Sequence, residues 1–213
     1  MTAAINNTIN HSVNTHHHDL KVRQMNFDID RDIPEFWYDN DPFKTLLLSA
    51  LSGGFPAGEH FFIHSVRHFQ DQITDPELKK AVRAFIGQEA HHSKEHDVLN
   101  KVMHDYGYSI DRIDRGVAMA MSWYKTYLSP ARQLAHTAAV EHFTALMAEE
   151  YLFNTNELDK MDPRLAPLWA WHAIEEYEHK AVAFDVYKTT VNSEWIRRSQ
   201  MAICTVMFLG FST

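Results

Sequence analysis

The sequence predicts an all-α protein, a helical bundle with additional helices. Three observations carry this. Apolar residues recur every three or four positions over most of the chain, while strict alternation, the mark of a half-buried strand, is scarce. Glycine and proline number only 7 each in 213 residues, few for an all-β chain punctuated by turns. Hydrophobic residues make up 45% and charged residues 23%, the balance of a packed core rather than of disorder.

The elements follow in order. Residues 1–24 are polar and rich in Asn, Thr and His; they read as a flexible arm before one bundle domain over 25–213. Within the arm, His16, His17 and His18 could take up a stray metal ion. DPFKTLLLSALS (41–52) reads as a short helix capped by Asp41 with Pro42 at its first position, and GGFP (53–56) ends it. A second helix is expected from about Ala57 to Ile73. The third runs over 75–107, with Asp75 as cap, Pro76 as start and Gly107 as stop. A fourth covers about Arg112 to Leu128. The fifth follows Ser129 and Pro130 to about Asn154, and the sixth starts near Asp162 and Pro163 and runs to about Val191. The final apolar stretch, MAICTVMFLGF (201–211), is too short for a bilayer, which needs about 20 residues. It reads as a core helix or as a contact surface for a membrane or a protein partner. Were the chain to continue past Thr213, it would suit a membrane-associated hairpin.

Composition also excludes some functions. A formal charge of −8 argues against nucleic-acid binding, which wants a basic face. The single cysteine, Cys204, allows no disulfide framework and fits a reducing compartment. With no apolar signal region at the N-terminus, the expected location is the cytoplasm.

The inward-facing seam of each long helix is apolar except at one level. The second helix presents Phe55, Glu59, Phe62, Val66, Phe69 and Ile73. The third presents Leu78, Val82, Phe85, Glu89, His92, His96, Leu99 and Met103. The fifth gives Leu134, Ala138, Glu141, Ala145, Ala148 and Leu152. The sixth gives Leu165, Trp169, His172, Glu176, His179, Ala183 and Val186. Each helix therefore inserts one glutamate into its seam, and two add a histidine three residues later. At 100° per residue Glu178 turns to solvent, and Glu175 flanks the seam as an acceptor behind it.

Four ionised glutamates in an apolar core would repel one another and lose their hydration, at several kcal/mol each if uncompensated. Two divalent cations cancel that charge, and imidazoles fill the remaining positions. Lone Glu on two helices and Glu-x-x-His on the other two is the ligand set of ferritin-like di-iron and di-manganese carboxylate proteins. Here the set is Glu59, Glu89 with His92, Glu141, and Glu176 with His179. Thirteen glutamates and 15 histidines generate about one ExxH by chance, so the signal lies in the shared apolar stripes and not in the motif. His172, one turn before Glu176 on the same face, is a seventh candidate ligand. His96 reads as a core histidine or a group behind the ligands. His60, His64 and His68 read as a solvated row, and Tyr106, Tyr124, Tyr151 and Trp169 as packing.

The runs GEHFF (58–62), QEAHHSKEH (88–96), EH (141–142) and HAIEEYEHKAVAFDVY (172–187) together resemble a bacterial family labelled predicted metal-dependent hydrolase. The similarity covers roughly residues 30 to 210. The ligand pattern alone, E…ExxH…E…HxxxExxH, also resembles that of di-iron N-oxygenases of aryl amines. That likeness implies Glu59, Glu89, His92, Glu141, His172, Glu176 and His179 as ligands. The leading expectation is an oxygen-activating di-iron enzyme, since carboxylate and imidazole suit iron, or manganese, over thiophilic metals. Dioxygen would be its co-substrate, its substrate a small apolar or amine-bearing molecule, and its reductant an electron-donor protein. Glu89 and Glu176 would bridge the metals and Glu59 and Glu141 would be terminal. The alternatives are a dinuclear metal-dependent hydrolase and a non-catalytic iron-binding or storage protein.

Overall fold

The computed structural model describes residues 20–30, 32–151 and 156–212. Residues 1–19 of the predicted arm over 1–24, with His16, His17 and His18, lie outside the described residues, as does the end of the predicted fifth helix with Leu152. Among the described residues the chain forms seven α-helices and no β-strand: α1 Pro42–Arg67, α2 Pro76–Asp105, α3 Ile110–Tyr127, α4 Pro130–Glu149, α5 Ala166–His179, α6 Val182–Thr190 and α7 Glu194–Ser212. The all-α class is as the periodicity predicts. The start signals hold too. Asp41 accepts from the backbone N–H of Phe43 and Lys44, Asp75 from that of Glu77, and proline opens α1, α2 and α4.

GGFP does not end a helix. Residues 42–67 form one continuous α1, with Pro56 inside it. Proline lacks the N–H that would bond the carbonyl of Ser52 one turn earlier, and such an orphan normally kinks a helix. Here α2 supplies the missing donor: the side-chain amide of Asn100 donates to that carbonyl at 3.1 Å, and the Ser52 hydroxyl donates back to Asn100 Oδ1 at 2.8 Å. Gly53 has its own reason. A Cβ there would sit 2.8 Å from Ile110 Cγ2, so glycine lets α3 cross α1 closely. Tertiary contacts thus override the local breakers. Asn100→Ala removes both bonds and leaves the Ser52 carbonyl unsatisfied. It should cost about 1–3 kcal/mol, read as a lowered urea midpoint with an unchanged slope.

The predicted sixth helix is two. It begins at Ala166, breaks at Lys180 and Ala181, and resumes as α6. No glycine or proline marks the break. Both residues keep right-handed helical dihedrals, so the chain kinks rather than reverses. The kink lays Val182, Ala183 and Val186 onto the apolar core.

The core is two apolar clusters with a polar layer between them. One holds Phe61, Val66, Leu78, Val82, Phe85, Leu134 and Val182. The other holds Trp37, Leu48, Leu99, Met103, Ile110, Leu165 and Trp169. Along α2 the seam passes from Phe85 through Glu89, His92 and His96 to Leu99. Along α5 it passes from Trp169 through His172, Glu176 and His179 to Val182. Every one of these residues is buried.

Candidate metal centre

All seven predicted ligands converge in that layer, on α1, α2, α4 and α5, and none is more than 5% exposed. They fall into three overlapping groups whose donor atoms lie within 4.8 Å of one another: Glu59, His92 and His172; Glu89, His92 and Glu176; Glu89, Glu141 and His179. Glu176 Oε1 is central, 3.2 Å from His172 Nε2 and 3.5 Å from both His92 Nδ1 and His179 Nε2. Glu89 turns one oxygen to each side, Oε1 at 3.2 Å from His179 Nε2 and Oε2 at 3.8 Å from His92 Nδ1. Glu141 Oε2 lies 3.2 Å from His179 Nε2.

The residues fit metal ions on a direct test. Glu59 Oε1, both oxygens of Glu89 and of Glu141, His92 Nδ1, Glu176 Oε2 and His179 Nε2 are buried and have no hydrogen-bond partner. Native cores leave few such atoms, and here they share one small volume. Their spacing suits bonds of about 2.0–2.2 Å to a common ion, with carboxylate and imidazole as the donors. Among the described residues no arginine or lysine pairs with Glu59 or Glu141.

Without a metal, the layer balances its charge with protons. Burial, then the Glu89 charge, raises Glu59 well above the carboxylate range. Burial, then Glu176 and Glu89, pushes Glu141 up to about 8. Burial alone would lower His179, but the charges of Glu176 and Glu141 outweigh it and raise that imidazole. His92 is likewise raised against burial, by its bond to Glu175 and the nearby carboxylates of Glu176 and Glu89. Metal uptake must displace these protons.

Each histidine is held from behind. His92 Nε2 lies 3.1 Å from Glu175 Oε2, and Arg23 donates to Glu175 Oε1 at 3.0 Å while forking onto Glu178. Glu175 is therefore the flanking acceptor its helix phase predicts, and Glu178 is exposed. His179 Nδ1 lies 3.1 Å from Gln88 Oε1, whose amide donates to the Lys21 carbonyl. His172 Nδ1 lies 2.7 Å from His96 Nε2, and His96 Nδ1 lies 2.8 Å from Ser52 Oγ. The Ser52 proton is committed to Asn100, so His96 donates to Ser52 and accepts from His172. In each case the bond fixes the tautomer and leaves the inward nitrogen as a lone-pair donor. Burial, then the His172 charge, lowers His96 well below its usual value, so it stays neutral in this chain. His96 thus stands behind His172, between it and Ser52.

Sequence reasoning missed Arg23, Ser52, Gln88, Ser93 and Asn100 in these roles. Ser93 donates to Glu59 Oε2 at 2.7 Å. Gln88 and Ser93 neighbour ExxH on α2, and that adjacency was the available signal. Arg23 had none, since its partner Glu175 is 152 residues away. Removing it should matter: Arg23→Ala frees Glu175 and should weaken metal binding about 10–100-fold, measured by competition with a chromogenic chelator.

Other candidates do not join the centre. His60, His64 and His68 are exposed along α1. Cys204 Sγ lies 3.2 Å from His136 Nδ1, but burial pushes the thiol up to about 12 and the imidazole down to about 4, an inert pair. A pocket among Pro56, His60, Asp97, Asp114, Met121 and Lys125 does not include any of the seven residues.

Residues 21–213 match the family model described as "Predicted metal-dependent hydrolase". The chain belongs to this family. Nothing among the curated proteins or the solved structures matches it. The family's metal dependence accords with the buried His/Glu groups. Its hydrolase description favours the alternative reading of the sequence over oxygen activation. No helix among the described residues is long and apolar enough to cross a membrane.

Proposed function

We propose that Glu59, Glu89, His92, Glu141, His172, Glu176 and His179 hold two divalent metal ions, and that the protein is a dinuclear metal-dependent hydrolase of a small molecule. The observation that carries the centre is the convergence of buried donor atoms that lack any other partner; the reaction class rests on the family. When bound, two ions supply Lewis acidity and a water acidified to act near neutral pH. The chain's own part is positioning. Glu59 with His172, and Glu141 with His179, serve opposite sides, while Glu89 and Glu176 lie between. The tautomer locks at Glu175, Gln88 and His96 keep three imidazole lone pairs aimed inward. Phe55, packed against His96 and His172, and Trp171, packed against His92, limit water. These aromatic walls suit an apolar group on the substrate.

A second reading, oxygen activation, is favoured by the donor chemistry itself. Four carboxylates and three imidazoles suit iron or manganese, and His172, Glu176 and His179 share one side of α5 within a sealed layer. It would add dioxygen as co-substrate and an electron-donor protein. Reconstitution separates the two readings. Metal-free protein is loaded without oxygen with Zn(II), Mn(II) or Fe(II), then offered p-nitrophenyl ester and phosphoester probes. Anaerobic hydrolysis that Glu176→Ala abolishes supports the hydrolase. Oxygen consumption in proportion to Fe(II), with no probe cleaved under any metal, would overturn it in favour of oxygen activation.

A further inference from the structure

We infer that Asn100 is a positioning residue of the proposed metal centre: anchored on the carbonyl that Pro56 leaves free, it sets the direction in which the chain from His172 through His96 to Ser52 donates, and so keeps His172 Nε2 bare toward the ligand layer. The inference rests on the seven-residue centre proposed above. The direction starts at the helix defect. Asn100 Nδ2 donates to the Ser52 carbonyl at 3.1 Å. The amide can face only this way, since the flipped group would set Oδ1 against the carbonyl oxygen. Oδ1 is therefore left to accept from the Ser52 hydroxyl at 2.8 Å. A hydroxyl has a single proton, so Ser52 Oγ meets His96 Nδ1, 2.8 Å away, with a lone pair. His96 must carry its proton there and accept at Nε2 from His172 Nδ1 across 2.7 Å. That leaves His172 Nε2 without a proton, 3.2 Å from Glu176 Oε1 and 3.9 Å from Glu59 Oε1. Glu176 has two other imidazoles to meet its charge, His92 and His179 at 3.5 Å each, so it does not need the proton of His172.

The rings themselves are held. Phe55 and Trp169 meet His96 edge-on, with centroids 4.8 and 5.3 Å away, and Phe55 also packs on His172 at 4.7 Å. Only protons are free to rearrange. Without the Asn100 acceptor, the Ser52 hydroxyl can turn to His96 Nδ1. Each imidazole then keeps one proton but changes the nitrogen that bears it. His96 donates from Nε2, His172 accepts at Nδ1, and the His172 proton lies on Nε2, where an ion would bind. The availability of one ligand is thus set from Asn100, which reaches it only through Ser52 and His96. Pro56 has a part in this that a merely tolerated proline would lack. With an N–H at position 56, Asn100 would share the Ser52 carbonyl with the helix.

The test compares Asn100→Leu, Asn100→Asp and Ser52→Ala with the wild type. Proton–nitrogen correlation spectra of metal-free protein with isotopically labelled histidine report which ring nitrogen of His96 and of His172 bears the proton. The wild type should show Nδ1–H on both rings, and Asn100→Leu Nε2–H on both. Chelator competition should find Zn(II) bound about 10–100-fold more weakly by Asn100→Leu. Asn100→Asp keeps an acceptor for the Ser52 hydroxyl while opposing its carbonyl. It should lose stability to urea yet hold the wild-type tautomers and affinity. Ser52→Ala lets His96 adopt either form, and should weaken binding less than Asn100→Leu although Ser52 stands nearer the ligands. A role in packing alone would give the two Asn100 variants equal losses of affinity. That result, unchanged tautomers in Asn100→Leu, or Nε2–H on either ring of the wild type would overturn the inference. A wild type that takes up no zinc would overturn the centre itself, and this inference with it, whatever the tautomers.

Discussion

Glu176→Ala is expected to empty the centre, whereas Glu175→Ala only loosens it. The neighbouring glutamates play different parts, separated by 100° of helix. Glu176 Oε1 faces three imidazoles across the layer, and no other group can replace an oxygen shared by both halves. Glu175 stands behind His92 and before Arg23. Metal content by plasma emission should fall from about two ions per chain to near zero in Glu176→Ala, since removing a central ligand costs more than tuning one. In Glu175→Ala the ions remain, with affinity about 10–100-fold weaker. The reverse order would mean that the helix phase is wrong and that Glu175 is the ligand.

Metal removal should destabilise the fold strongly, and the metal-free protein should weaken further as pH rises. At free metal near 1,000 times the dissociation constant, binding adds about 4 kcal/mol, or about 8–16 °C in Tm for a chain of this size. Chelation should remove that increment. Glu141 then sets the pH dependence. Its folded pKa is raised to about 8 by burial and by Glu176 and Glu89, against about 4.3 in the unfolded chain. A group raised in this way contributes stability that is full below its unfolded pKa and is lost as pH rises through its folded one. Glu141→Gln keeps the shape without the charge. Metal-free Glu141→Gln should match the wild type near pH 4 and exceed it near pH 9, by on the order of 5 kcal/mol. Metal-loaded, the order reverses, because Gln is the poorer ligand. Thermal melts of both proteins with and without chelator check all four cases. A wild type indifferent to chelator would contradict the account.

The buried layer of glutamate and histidine was legible because its signal is local and redundant: each of the seven residues lies in an apolar stripe of its own helix, and four stripes carry them at one level. The caps at Asp41 and Asp75 were legible for the same reason. What the sequence hid depends on contacts between distant segments. Pro56 reads as a helix stop until Asn100, 48 residues from Ser52, restores the lost bond. The kink at Lys180 carries no breaker residue; it follows from seating Val182 and Val186 in the core. Arg23, within the predicted arm, reaches Glu175 only once the bundle is assembled. The reaction class was hidden for another reason: hydrolysis and oxygen activation can use one ligand set, and the choice depends on metal and substrate.

The most direct test of the central claim is the metal stoichiometry of the purified wild-type protein, with anaerobic titration of its metal-free form while released protons are counted. The account predicts saturation at two divalent ions per chain with protons released, because His92, His179, Glu59 and Glu141 hold them in the empty layer. A chain that binds no metal, or one whose binding survives loss of Glu176, would contradict it.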